Sequence, residues 1–186
     1  PDENDPNKLF FTCGDKRSNY ICISDDKGEN IIQKALPCSV HGNEVGRATG
    51  DRLIYKNGRL YFGSQTAGII YSEDMGESWQ SIDLFGEKNI SLIWTDSEGK
   101  LFIAGCSGEA NSPDGVTRGH TLYCSTDGLK SFVHLTAPEP VRYEKATYYG
   151  FVPQRITSDS RYIYITFASS GEVFYGGMGA YACDTG

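Results

Sequence analysis

No run of apolar residues in this sequence approaches 18, so the chain offers no segment able to cross a bilayer as a helix. No basic run stands out either. Its 17 Lys and Arg face 24 Asp and Glu, for a net charge of −7, and nothing would neutralise a run of phosphates. Neither nucleic acid nor a membrane is therefore an expected partner. No Cys-x-x-Cys pair occurs among the six cysteines, and His41 and His120 lack partners at ligand spacing. No metal or other cofactor is expected. No Gly-x-Ser-x-Gly turn marks a serine nucleophile. No signal peptide is visible, and a chain that starts inside a repeat is not expected to carry one.

What is present is a repeated octapeptide. Ser72-Glu73-Asp74-Met75-Gly76-Glu77-Ser78-Trp79 follows the apolar run Ile69-Ile70-Tyr71. The pattern reads as a strand ending in a closed turn. The Ser72 and Asp74 oxygens accept backbone N–H groups within the turn, Gly76 supplies a positive φ, and Trp79 opens the return strand. Ser24, Asp26 and Gly28 repeat the device, with Ile31 in the aromatic slot. Ser125, Asp127 and Phe132 repeat it again, with the glycine one place early at Gly128. A weaker echo runs from Ala182 to Gly186. Starts at 24, 72, 125 and 182 are separated by 48, 53 and 57 residues.

That period suits one four-stranded sheet plus its loops, and the octapeptides are Asp boxes. The expected fold is therefore all-β, a β-propeller of four-stranded blades with Asp-box turns, about three and a half of them present. The whole chain reads as one partial propeller: an incomplete blade at 1–35, blades at 52–84 and 90–135, and an incomplete blade at 155–186. Closed propellers use about four to eight blades, so the chain is expected to need the remaining blades of a parent chain. The box itself is a structural turn and does not name a function.

The cysteines are Cys13, Cys22, Cys38, Cys106, Cys124 and Cys183. Cys22 and Cys124 are read as equivalent, just before the box, and Cys13 and Cys106 as equivalent at the end of the preceding strand. Equivalent positions fall on different blades, so buried thiols rather than disulfides between them are expected.

Connections in an up-and-down blade alternate between two faces. The long ones, 13–19, 36–51, 105–120, 136–153 and 168–178, all belong to one set, and function on rigid β scaffolds tends to sit in long loops. That face holds Asp15, Glu44, Asp51, Glu109, Asp114, Glu144 and Glu172, with Arg17, Arg47, Arg118, Arg142, His41 and His120. Two carboxylates across a cleft would suit glycoside hydrolysis. Glu44, Arg47, Asp51 and Arg52 form a denser group, open to two readings: a loop braced by Arg–carboxylate pairs, or substrate contact. Tyrosine is abundant, 12 against 9 Phe; much of that is strand packing, and the excess also suits stacking on sugars. The substrate-binding candidates are Asn43, Glu44, Arg47, Tyr148, Tyr149 and Tyr175.

Residues 36–79 resemble glycoside hydrolase family 74, the xyloglucan-active endo-β-1,4-glucanases. The likeness is carried by Leu36-Pro37, Gly42-Asn43-Glu44-Val45-Gly46-Arg47, Gly50-Asp51-Arg52-Leu53, Leu60-Tyr61-Phe62-Gly63 and the box ending in Trp79. Asp51 stands where the family has Glu. The resemblance implies two seven-bladed propellers clasping a cleft for a branched glucan. It also implies a secreted enzyme and inverting hydrolysis, in which one Asp activates water and another protonates the leaving oxygen. The family's base lies in an Arg-Thr-Asp-x-Gly-Gly context and its acid in the later propeller; neither context occurs here, so the catalytic residues are unknown. The chain would then supply scaffold and sugar-subsite loops, with a polysaccharide or oligosaccharide as partner. The alternative is a non-catalytic Asp-box propeller that binds a glycan or a protein.

Overall fold

The computed structural model describes residues 5–14, 19–38, 52–64, 67–82, 89–96, 99–106, 120–135, 142–143, 146–147, 151–159, 161–169 and 177–184. Every regular element among them is a β-strand, and the larger sheets are antiparallel meanders. The first sheet holds β1 (Leu9–Gly14), β2 (Asn19–Ser24) and β3 (Ile32–Ala35). The second holds β4 (Leu53–Lys56), β5 (Arg59–Gly63), β6 (Ile69–Ser72) and β7 (Gln80–Ile82). The third holds β8 (Asn89–Thr95), β9 (Leu101–Cys106), β10 (His120–Ser125) and β11 (Val133–Leu135). A hairpin of β12 (Arg142–Tyr143) and β13 (Ala146–Thr147) precedes the last sheet, β14 (Phe151–Ser158), β15 (Tyr162–Ser169) and β16 (Gly177–Asp184). These are blades of a β-propeller.

The connection expected over 136–153 is not structureless. Arg142 pairs with Thr147 and Tyr143 with Ala146, and β14 starts at Phe151. Pairs this short carry no readable period. Pro153, which has no N–H to give the ladder, sits at a register shift in β14.

The core lies between consecutive sheets, and strand alternation builds it. Leu60 and Phe62 of β5, with Ile70 of β6, join Ile21 and Ile23 of the first sheet and Leu36 just beyond it. The intervening residues turn the other way. Tyr61 and Ile69 join Ile90, Ile93 and Leu129 at the third sheet. The approach is close: a Cβ on Gly63 would lie 2.5 Å from Cγ2 of Ile90.

Each box is built alike. The first serine O–H donates to the aspartate, Ser24 to Asp26 and Ser72 to Asp74 at 2.8 Å, Ser125 to Asp127 at 3.1 Å. The same serine oxygen accepts the N–H four residues on, from Gly28 at 2.8 Å, Gly76 at 2.7 Å and Leu129 at 2.9 Å. The fourth and fifth residues are both left-handed: Lys27 and Gly28 at φ 62° and 95°, Met75 and Gly76 at 57° and 85°, Gly128 and Leu129 at 70° and 72°. The early glycine of the third box is therefore no departure in backbone shape. Two adjacent residues need positive φ, and glycine serves at either place.

The cysteines depart from expectation. Cys13 and Cys22 form a disulfide within the first sheet, between β1 and β2. They are not repeat-equivalent, so the exclusion of pairing between blades never applied to them. Cys22 lies two residues before its box and Cys124 only one, and one residue reverses the face of a strand. Cys38 and Cys124 are free, half-buried thiols.

Candidate functional site

The chain folds back at its boxes and tight turns on one side and at its long connections on the other. The described residues at the long-connection side form a rim. Arg52 leads into β4, with its guanidinium 5.7 Å from the centre of the Phe62 ring. Its carbonyl accepts the N–H of Gly63 at 2.8 Å. Ser64 is buried, and its N–H reaches the carbonyl of Gly68 at 2.7 Å while its hydroxyl oxygen accepts the N–H of Ala67 at 3.1 Å. Its carbonyl accepts the N–H of Ile90 at 2.9 Å, tying the end of the second sheet to the start of the third. Burial pushes the Arg52 pKa down and the Cys38 thiol up, while Ser64 and Arg52 pull the thiol back. A cation half-sunk against an aromatic ring at the edge of a rigid frame can orient an anionic or hydroxyl-rich group.

Asn43, Glu44 and Arg47 fall between β3 and β4, Tyr148 and Tyr149 between β13 and β14, and Tyr175 between β15 and β16. All six lie outside the described residues, as do Asp15, Arg17, His41, Asp51, Glu109, Asp114, Arg118, Glu144 and Glu172. Of the charged residues singled out in the dense group, Arg52 alone is described. His120 begins β10, and Arg142 begins β12.

Five of the described carboxylates have a different place. Asp26, Asp74 and Asp127 serve the boxes, Asp96 accepts the N–H of Lys100 at 2.8 Å, and Asp159 accepts the N–H of Tyr162 at 2.7 Å. All are turn carboxylates on the side away from the rim. The box aspartates drop from the ordinary 3.8 to about 2. For Asp74 and Asp127 the largest cause is the hydroxyl of Ser78 or Ser131, at 2.5 Å; for Asp26 it is the N–H of Asn30, at 2.9 Å. A carboxylate held ionised by turn donors is a poor proton shuttle near neutral pH. The residue at the seventh box place is the contact that the sequence reading left out, although Asn30, Ser78 and Ser131 repeat there. No group of three or more His, Cys, Asp or Glu among the described residues could hold a metal ion. No helix among them is long and apolar enough to cross a membrane.

Comparison with known proteins adds the family likeness. The chain is 29% identical over 115 residues to an oligoxyloglucan-reducing end-specific xyloglucanase of Emericella nidulans, a match covering 55% of this chain and 14% of that protein. The chain is similar to part of a glycoside hydrolase family 74 enzyme. A probable enzyme of the same name from Neosartorya fischeri is 26% identical over 156 residues, 77% of this chain and 18% of that one. A xyloglucanase of a Paenibacillus species is 26% identical over 151 residues, 68% of this chain and 15% of its own length. The chain thus spans under a fifth of these relatives. The crystal structure of the Niastella koreensis family 74 enzyme superposes with a TM-score of 0.72 at 23% identity, over 99% of this chain and 28% of that one. The family 74 xyloglucanase of Xanthomonas campestris gives 0.71 at 20% identity, again over 99% and 28%. These structural likenesses establish the propeller fold. No family model matches the sequence.

Proposed function

We propose that this chain is part of a secreted glycoside hydrolase acting on xyloglucan-type β-1,4-glucan, to which it contributes scaffold and sugar-subsite loops. The observation that carries the reading is the similarity over 156 residues to a protein named as a xyloglucanase. The long connections support it, since all leave from the side where Arg52 and Ser64 form a rigid rim. Hydrolysis would be inverting, with water activated by one carboxylate and the leaving oxygen protonated by another. Asp26, Asp74, Asp96, Asp127 and Asp159 are turn ligands, which leaves the catalytic pair to other residues of the full-length protein. Asn43, Glu44, Arg47, Tyr148, Tyr149 and Tyr175 are the proposed sugar contacts, and the other blades of the full-length protein are the structural partner.

One observation favours a second reading, a non-catalytic propeller binding a glycan or a protein: Asp26, Asp74, Asp96, Asp127 and Asp159 are all committed to turns. Reducing-sugar release by the full-length protein separates the two. Xyloglucan, unsubstituted β-glucan and a no-substrate control are compared. Release from xyloglucan above both controls supports the hydrolase. A folded protein releasing nothing from either polymer overturns it.

A further inference from the structure

The two boundaries between the first three sheets show what one face of a blade requires. On the face of the second sheet that meets the first, Leu60 is 0% exposed, Phe62 1% and Ile70 3%, with Trp79 packed beside them. Counting from each box serine, the equivalents of Ile70 and Trp79 in the first sheet are Cys22 and Ile31. Strand register gives Leu9 and Phe11 for Leu60 and Phe62, since Leu9 pairs with Ser24 as Leu60 pairs with Ser72, and Phe11 with Cys22 as Phe62 with Ile70. Phe10 turns the other way and stacks on Tyr55 of the second sheet, centroids 4.6 Å apart. On the equivalent face Cys22 is 1% exposed, but Phe11 is 39% and Ile31 49% exposed.

Charge at the boundary is equally specific. Lys34, on the outer strand of the first sheet, donates to the carbonyl of Met75 and pairs with Glu77, both at 2.9 Å. Those are the fourth and sixth places of the second box. In the first box the same places are Lys27 and Glu29. In the third box the sixth place is Lys130, and the residue equivalent to Lys34 is then apolar, Ile82. A cation therefore accompanies a glutamate at that place and is absent where a lysine stands.

We propose that the Leu9–Phe11–Ile31 face seats another four-stranded Asp-box blade, whose outer strand presents a Lys or Arg to Glu29 and to the carbonyl of Lys27. This rests on the reading of the chain as part of a larger propeller and adds the partner's chemistry. The occupant has apolar residues at the places of Ile21 and Ile23 and a cation at the place of Lys34. A second copy of the chain and an open face are the competing outcomes.

Ile31 and Ile32 are adjacent and supply the test. Ile32 is 58% exposed although the next blade is already in place, so it stays open in either case. Ile31→Cys and Ile32→Cys are made separately in the full-length protein and treated with a maleimide, and each labelled peptide is followed by mass spectrometry. Circular dichroism checks that both variants fold; Phe11→Cys substitutes for Ile31→Cys if that variant does not. The expected result is labelling of Ile31→Cys at least tenfold slower than Ile32→Cys, independent of protein concentration. Glu29→Arg should then speed labelling of Ile31→Cys more than Glu29→Gln does. Equal rates overturn the proposal, and protection that appears only at high concentration assigns the face to a second copy and overturns it too. Xyloglucan hydrolysis is measured on the same samples. Activity beside an openly labelled Ile31→Cys sinks the docking surface alone, and protection without activity sinks the hydrolase reading alone.

Discussion

Ser125 accepts the N–H of Leu129 at 2.9 Å, the same bond that Ser24 and Ser72 make to glycines. Leu129 thus holds a φ of 72° while its side chain fills the cluster of Tyr61, Ile69, Ile90 and Ile93. A left-handed non-glycine residue costs about 1–2 kcal/mol, and burying a leucine side chain returns about 1.5–3 kcal/mol. Burial wins, which is why leucine is tolerated there.

Leu129→Gly should therefore destabilise by only about 1 kcal/mol, because relief of backbone strain offsets part of the lost burial. Leu129→Ala keeps the strain and loses the packing, so it should cost about 2–4 kcal/mol. Urea unfolding followed by tryptophan fluorescence measures both. A glycine variant less stable than the alanine variant would show that the strain is not there.

Gly63→Ala should disrupt the boundary between the second and third sheets, since the added Cβ would fall 2.5 Å from Ile90. Overpacking of this kind costs about 1–3 kcal/mol. Ile90→Ala opens the space, so the double variant should be more stable than the sum of the two losses predicts. A double-mutant cycle with no coupling would refute the contact.

Much of this fold is legible from residues, and the reasons are local. Ser72, Asp74 and Gly76 announce a turn whose serine and aspartate bonds are made within eight residues, and Ile69-Ile70-Tyr71 announces the strand before it. The hairpin at Arg142–Thr147 is not legible because two-residue strands have no period. The Cys13–Cys22 bridge is not legible because its partners hold unlike places in one repeat, and repeat equivalence relates only like places of different repeats. The site was legible only as a side of the fold. Loop residues such as Glu44 and Tyr148 obey no periodic rule, so spacing alone does not fix where they stand.

Acid should destabilise the protein through its boxes. Asp26, Asp74 and Asp127 have folded values of about 2 against an ordinary 3.8. A depressed carboxyl contributes stability that is fully present above the unfolded value and is lost as pH falls through the folded one. The thermal midpoint should thus be level near neutrality and fall between about pH 4 and pH 2. Ser78→Ala removes the largest cause of the Asp74 shift, so its midpoint should fall less steeply over that window. Parallel curves for the variant and the parent would show that the hydroxyl does not hold the charge.

Reduction should loosen the first sheet selectively. The Cys13–Cys22 bridge spans nine residues, and closing so short a loop contributes about 2–3 kcal/mol in the chain-entropy account. Cys13→Ser with Cys22→Ser should lower protection from hydrogen exchange in β1 and β2 and leave β8 to β10 unchanged. Equal loss across the third sheet would mean that the bridge supports the whole molecule.

Glu44→Gln and Arg47→Ala, made in the full-length protein, test the sugar contacts directly. If these residues touch substrate, each should weaken xyloglucan oligosaccharide binding by about tenfold, the loss of one charge-assisted hydrogen bond, with the thermal midpoint unchanged. If they brace the loop ahead of Arg52, the midpoint should fall, and Arg47→Lys should restore it only in part, because an ammonium lacks the planar fork that grips a carboxylate. Calorimetric titration beside thermal unfolding reads both quantities on one sample. Unchanged binding and unchanged stability in both variants would remove the pair from the site.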